Sequence, residues 1–283
     1  MTLGWRPVVL GLALSVVVSQ PVVAQADTSR SFGPLFTKAD GLLAGSIVLG
    51  ALFAQRLDDH YAARLQDSST QANKKLQGLA TFVRTTATPG SVIIGTSMYA
   101  VGRIARNDKM AELGLHGLEA LAVGELTAIV LKGVIGRQRP SVRPRNPHSY
   151  GFLRGFRDDD EFRSFPSGHT VAAFAAASAV TSQTSNWSPD SRYLVGAVMY
   201  GGAALTGVSR MYNNRHWASD VIVGAGIGTF AGLKVVRFNQ SHSGNKLDKW
   251  LLSGSIIPTS DGGHALRWSL MPGVAIGEKP PRR

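Results

Sequence analysis

Three short pieces of this chain have residue types and spacing that could do chemistry together. Lys132 is followed, after six residues, by Arg139-Pro140. Pro166-Ser167-Gly168-His169 comes next. Ser209-Arg210 then precedes His216 by five intervening residues, and Asp220 follows His216 after three more. Together they supply three cations, a hydroxyl, a glycine that lets backbone come close, two histidines and a carboxylate. Phosphoryl transfer needs such a set: cations for the charge on the equatorial oxygens, a nucleophile, and an acid for the leaving oxygen. Arginine offers phosphate a planar fork and lysine a point charge. Any one of these residues alone would read as ordinary structure, such as a histidine at a helix start or an arginine answering a helix dipole. All of them arising by chance in one constellation is a far weaker reading.

In this order and spacing the three pieces resemble, at every signature position, the signature of the type 2 phosphatidic acid phosphatase and vanadium haloperoxidase superfamily. The resemblance implies that Lys132, Arg139 and Arg210 hold the phosphate oxygens, assisted by the Ser167 hydroxyl and the Gly168 backbone N–H. It makes His216 the nucleophile that forms a phosphohistidine. Asp220 would accept from the other ring nitrogen of His216, and His169 would protonate the leaving alkoxide and then activate water. The activity implied is metal-independent hydrolysis of a phosphomonoester, a lipid phosphate or a pyrophosphate, with no cofactor and no metal. The same pocket could instead hold vanadate, as in a vanadium-dependent haloperoxidase, although those enzymes are larger and more elaborate around the site. A non-catalytic binder of acidic lipid or phosphate would need the cations, but not His216, His169 and Asp220.

The elements that must carry these residues are helical. Apolar segments recur at 40–56, 90–105, 111–132, 169–184, 193–209 and 217–236, each longer than a typical strand and rich in Ala, Gly, Leu and Val. The motifs fall at their ends, and Ser167 stands where an N-cap would leave free N–H groups beside an anion. The expected fold is all-α: a bundle of about six core helices with the site at one end. A polar stretch from Gln71 to Arg84 reads as a surface helix, separated by a break at Pro89-Gly90 from the next. Ser141 to Phe165 reads as a lid or substrate-selecting loop. Its acidic run, Asp158 to Glu161, reads as a solvated turn rather than a metal site. Ser255–Pro258 and His264–Leu270 flank Asp261-Gly262-Gly263, a β-hairpin signal for the tail.

Residues 1–26 read as a secretory signal peptide, with Arg6 as its basic region, an apolar run from Val8 to Val18 and Ala24-Gln25-Ala26 as the cleavage site. The helical domain then covers 27–240 and the tail 241–283. There is no cysteine among the 283 residues, which excludes disulfides, thiolate chemistry and Cys-ligated metal. The net charge of +12 concentrates around the motifs, from Lys132 to Arg163 and at Arg210 and Arg215. Focusing of a phosphorylated small-molecule or lipid substrate explains this better than nucleic acid, which is not expected as a partner. The histidines outside the motifs are assigned no role, and only His148, in the loop, merits a test. Membrane association is left open. Charge-free stretches such as 41–55 span roughly 23 Å as helix against about 30 Å of hydrocarbon, and Glu119 and Glu125 interrupt the third segment. Six crossings after an exported N-terminus would also face the motifs inward, whereas the family's lipid phosphatases face them outward. These points favour a soluble or peripheral exported domain over an integral membrane one. The oligomeric state is not legible.

Overall fold

The apolar runs fold as helices throughout the computed structural model, which describes residues 34–242 apart from 145, 158 and 159, together with 251–252, 255–258 and 264–267. In chain order the helices are α1 (Lys38–Gln55), α2 (Asp58–Leu65), α3 (Ser68–Gln71), α4 (Lys74–Ile104), α5 (Asp108–Ile135), α6 (Gly168–Trp187), α7 (Arg192–Tyr212) and α8 (Ala218–Ser241). The all-α expectation holds, with six long helices carrying the bundle. The expected leader at 1–26 lies outside the described residues. Of the expected hairpin, only Ser255–Pro258 and His264–Arg267 are described. Its Asp261-Gly262-Gly263 turn is not, so the described residues do not establish the hairpin as a unit.

One expectation fails inside the bundle. Pro89-Gly90 does not break the chain, and α4 runs continuously through Pro89, joining the polar stretch to the apolar one. Proline in a helix interior costs about 3 kcal/mol, through one lost rung and a clash with the preceding turn. Here α4 packs on α5, α6 and α7, with Ala80, Val83 and Ala87 buried just before the proline, and that packing outweighs a single rung.

The core seam lies between α6 and α8, and α6 also packs on α5 and α7, while α1 lies against α8. Small residues make the seam close. A Cβ at Gly228 would stand 2.3 Å from the Val171 carbonyl oxygen, and one at Gly232 would stand 2.6 Å from the Ser178 Cβ. With Gly224 they form a stripe at four-residue spacing, which lets two helix backbones approach closely. This contact ties the start of α6, with Ser167 to His169, to the start of α8, which follows His216.

The segment between the first two motifs packs against the end of α5. That helix closes on Gly136, which is left-handed at φ +56° and donates to the Lys132 carbonyl. Gly151 and Leu153 donate to the carbonyls of Gly136 and Val134, and Ser164 donates to that of Arg137. Two short 3-10 turns, Arg154–Phe156 and Asp160–Phe162, complete the wrap, and Phe162 is buried. The loop is pinned along both its arms.

Gly228→Val should force α6 and α8 apart and cost about 1–3 kcal/mol, lowering the thermal midpoint of the purified protein. A Cβ added at Gly201, on α7, would meet nothing within 4 Å. Gly201→Ala should therefore be neutral or stabilising by roughly 0.5–1 kcal/mol. Equal effects of the two substitutions would contradict the tight seam.

Candidate active site

Lys132, on the last turn of α5, reaches across to the second motif and donates to the carbonyl oxygens of Pro166 and, at 3.1 Å, Arg163. An ammonium has three donors, so these two bonds aim the charge at the Pro166-Ser167 loop and leave a third N–H. Ser167 is extended at the N-cap of α6, yet its hydroxyl makes no capping bond. It accepts from Thr170 Oγ1 at 2.8 Å instead, which leaves its own proton free for an anion. Its backbone N–H donates to the Asp220 carbonyl at 3.1 Å, joining the second motif to the third. Gly168 has a specific neighbour: a Cβ there would stand 3.1 Å from Glu125 Oε2 and 3.7 Å from Lys132 Cε.

The third motif places its histidine differently from expectation. His216 is buried, and its Nδ1 lies 2.6 Å from the Ser164 carbonyl oxygen but 3.8 Å from Asp220 Oδ2. A carbonyl can only accept, so Nδ1 carries the proton and Nε2 keeps its lone pair. The Asp220–His216 hydrogen bond expected from their helical spacing is not made. Both Asp220 oxygens are occupied elsewhere. Oδ1 takes Arg137 Nη1 at 2.5 Å, while Oδ2 takes Ser164 Oγ at 2.5 Å and the Trp217 N–H at 2.9 Å. Burial, reinforced by the Lys132 and Arg139 charges, pushes the His216 imidazole down to about 3, so it is neutral at physiological pH.

From sequence, Arg137 falls among the substrate-focusing cations, and the fold gives it a different place. Its side chain is fully buried. It pairs with Asp58 at 2.8 Å as well as with Asp220, and donates to Ser219 Oγ and the Pro147 carbonyl. The signature marks Arg139 and not Arg137, but nothing in the sequence says where Arg137 goes, and Asp58 starts a short helix that carries no motif.

Arg139 and Arg210 do reach the site. Arg139 donates to the Arg215 carbonyl at 3.1 Å and pairs with Asp160 at 2.7 Å, and Asp160 also pairs with Arg215 at 2.5 Å. Asp160 and Glu161 are exposed, as in a solvated turn, but Asp160 also pairs with two arginines, and they hold its carboxyl below the usual range against the opposing effect of burial. Asp158 and Asp159 lie outside the described residues. Arg210, on the last turn of α7, has a buried Nε with no partner. It lines one cavity with His169, and Lys132, Arg139 and Arg210 all lie within electrostatic reach of that histidine. The three motifs thus meet where α5, α6, α7 and α8 end or begin. Among the described residues no group of three or more His, Cys, Asp or Glu could hold a metal ion.

Removing Arg137 would leave Asp58 and Asp220 buried without a counter-charge, at a cost of about 3–5 kcal/mol. Arg137→Met should lower the thermal midpoint by roughly 6–20 °C; an unchanged midpoint would show that the pair is not structural. A second test follows from His216. Folding keeps it neutral down to about 3, whereas an unfolded chain protonates it near 6.5. The unfolded state then binds the extra proton in this window. Its contribution to stability is fully present above about pH 6.5 and is lost as the pH falls toward 3. His216→Gln should flatten that acid-side slope, and identical slopes would contradict a buried neutral imidazole.

Residues 114–243 match the PAP2 superfamily. A lipid A 1-phosphatase of Porphyromonas gingivalis is 44% identical over 87 residues, 31% of this chain and 19% of that protein. A lipid A 1-phosphatase of Rhizobium johnstonii is 32% identical over 147 residues, 49% of this chain and 54% of that protein. The chain spans about half the length of this second relative and less of the first. Among solved structures, a transmembrane PAP2 type phosphatidylglycerolphosphate phosphatase of Bacillus subtilis superposes with a TM-score of 0.53 at 22% identity, over 73% of this chain and 98% of the other. That last likeness speaks to the fold. Motif order, helical frame and the match over residues 114–243 all point to similarity with the PAP2 superfamily.

Proposed function

We propose that the chain is a metal-independent lipid phosphatase working through a phosphohistidine on His216. The observation that carries this reading is the His216 hydrogen bond to the Ser164 carbonyl. It commits Nδ1 as donor and leaves Nε2 as a neutral nucleophile, within electrostatic reach of Lys132 and Arg139. Lys132, Arg139 and Arg210, with the Ser167 hydroxyl and the Gly168 N–H, neutralise the phosphoryl oxygens. Nε2 forms the N–P bond while the P–O bond to the lipid breaks. The departing oxygen keeps the electron pair and takes a proton from His169; burial and the Arg210 and Lys132 charges disfavour that proton, so His169 carries it only once a bound phosphate offsets those cations. His169, now neutral, then removes a proton from water; the resulting hydroxide attacks phosphorus, the N–P bond breaks, and inorganic phosphate leaves. Asp220 acts as a positioning residue, holding the start of α8 through Trp217, Ser164 and Arg137.

A lipid carrier is favoured by the protein's surface and by what its relatives are named for. The sequence-based preference for a soluble domain loses its support. Leu49, Phe53, Ile93 and Leu194 are each at least 65% exposed, on α1, α4 and α7, and apolar faces of this kind fit a membrane better than water. By length and composition α8 could cross a membrane, and the bent pair α1–α2 passes the same test jointly. The acids that argued against burial in lipid face inward. Glu119 accepts from Asn239 of α8 at 2.5 Å, and Glu125 sits against Gly168 and Lys132. A membrane-embedded bundle with its site at the helix ends accommodates all of these features.

Hydrolysis should persist in excess EDTA and be blocked by vanadate, a five-coordinate phosphate mimic. His216→Ala should abolish turnover of every substrate. With an activated aryl phosphate, which needs little protonation, His169→Ala should form phosphoenzyme yet hydrolyse it slowly. Rapid quench with labelled substrate would trap an acid-labile, base-stable adduct. Label that survives acid, or that accumulates on His216→Ala, would refute the nucleophile, and magnesium-restored activity after EDTA would refute the metal-independent route.

A further inference from the structure

Arg210 stands in the last turn of α7, where an arginine ordinarily turns back onto the free carbonyls of its own helix end. Here that end is already filled. The carbonyls of Ser209, Met211 and Arg210 take the backbone N–H groups of Asn213, Asn214 and Arg215. The Tyr212 carbonyl takes two side-chain amides instead, Gln66 Nε2 at 2.9 Å and Gln71 Nε2 at 3.0 Å. A carbonyl oxygen has two lone pairs, so both are spent. Gln66 also donates to the Met211 carbonyl at 3.4 Å and Gln71 to the Leu65 carbonyl at 2.7 Å, which uses both amide hydrogens of each. The Tyr212 hydroxyl returns a bond to the Thr70 carbonyl at 3.3 Å. Gln66 follows α2 and Gln71 ends α3, so the cap on α7 is made by a segment that carries no motif.

Lysine or arginine is a common cap at a helix C-terminus, but here it would add charge beside cations already gathered for phosphate. An amide satisfies the carbonyl and adds no net charge. Meanwhile Arg210 Nε is buried with no partner, and its side chain lines the cavity with His169. We propose that Gln66 and Gln71 are positioning residues for Arg210. By occupying the end of α7 they deny its guanidinium an internal acceptor and keep it for the substrate's phosphoryl oxygens. This rests on the reaction proposed above only in taking Arg210 as a phosphate ligand. Without the two amides, a carbonyl on the buried residue Tyr212 would stand unpaired two positions from a cation with donors to spare. An unmade buried bond is costly, so the guanidinium would turn onto that carbonyl and away from phosphate.

Tungstate, a tetrahedral dianion that cannot be hydrolysed, tests this by titration calorimetry on the full chain in detergent micelles. Gln66→Leu combined with Gln71→Leu should weaken tungstate binding about tenfold, the scale of one charge-assisted hydrogen bond. Each single substitution leaves one amide to hold the helix end and should weaken binding about threefold, which decides the matter if the pair does not fold. Arg210→Ala should itself bind tungstate more weakly than wild type. In that background the glutamine substitutions should change affinity by less than about twofold, because no guanidinium remains to be misplaced. A cap that merely held the helix together would lower affinity equally in both backgrounds. Failure of wild type to bind tungstate, unchanged binding in the glutamine variants, or losses of equal size with and without Arg210 would each overturn the proposal. Turnover of an aryl phosphate, measured alongside, separates the two readings. The tungstate pattern without turnover refutes the reaction and leaves the positioning role standing, whereas turnover with losses independent of Arg210 does the reverse.

Discussion

The site depends on one buried charge. Arg137 spends all five of its N–H donors on Asp58, Asp220, Ser219 and twice on the Pro147 carbonyl, and Trp217 and Tyr150 flank its guanidinium plane. Taking an arginine and two carboxylates out of water is tolerable only when every donor and acceptor is matched, and here they are. Asp58 accepts from the Ser219 N–H and hydroxyl as well. The network therefore ties α2, the loop after α5 and the first turn of α8 into one unit. Because His216 lies just before that turn, its ring inherits its position from a charge buried out of reach of solvent.

The ring itself is oriented by a neutral partner. A carbonyl on Nδ1 fixes the tautomer as firmly as a carboxylate would, but it offers less relief when the imidazole becomes positive. Asp220, 3.8 Å away, still supplies a negative potential while its hydrogen bonds hold Ser164 and Trp217. Orientation and charge compensation, which one side chain performs in many histidine–carboxylate pairs, are here divided between a backbone oxygen and a carboxylate. The division would suit the nucleophilic role proposed for His216, which requires the ring to stay neutral until phosphorus is attached.

Much of the site was legible because phosphate recognition constrains residue type and spacing together. Lys132, Arg139, Ser167, Gly168, His169, Arg210 and His216 all meet at the helix ends where their motifs placed them. The six apolar segments were legible for a similar reason, since length alone separates them from strands. Other features were hidden by their dependence on tertiary partners. The signature picks out Arg139, but only the fold shows that Arg137, two residues away, is buried against Asp58. Helical spacing correctly put His216 and Asp220 near each other, but it could not reveal that Arg137 and Ser164 would claim the carboxylate first. Pro89 signals a break locally, and packing on three neighbouring helices overrides it.

On the proposed reaction, Asp160 would bear on how the pocket fills and empties. Its carboxylate bridges Arg139 and Arg215 in the ligand-free protein, so these cations are never bare. A phosphate that takes up Arg139 must displace an internal anion, and the binding energy it realises is the difference between two ion pairs rather than the whole of one. On the proposed reaction the same exchange would run in reverse after hydrolysis, with the side chain competing with inorganic phosphate for the arginines. A site this cationic would otherwise be prone to poisoning by its own product, and a tethered carboxylate works as a built-in eluent.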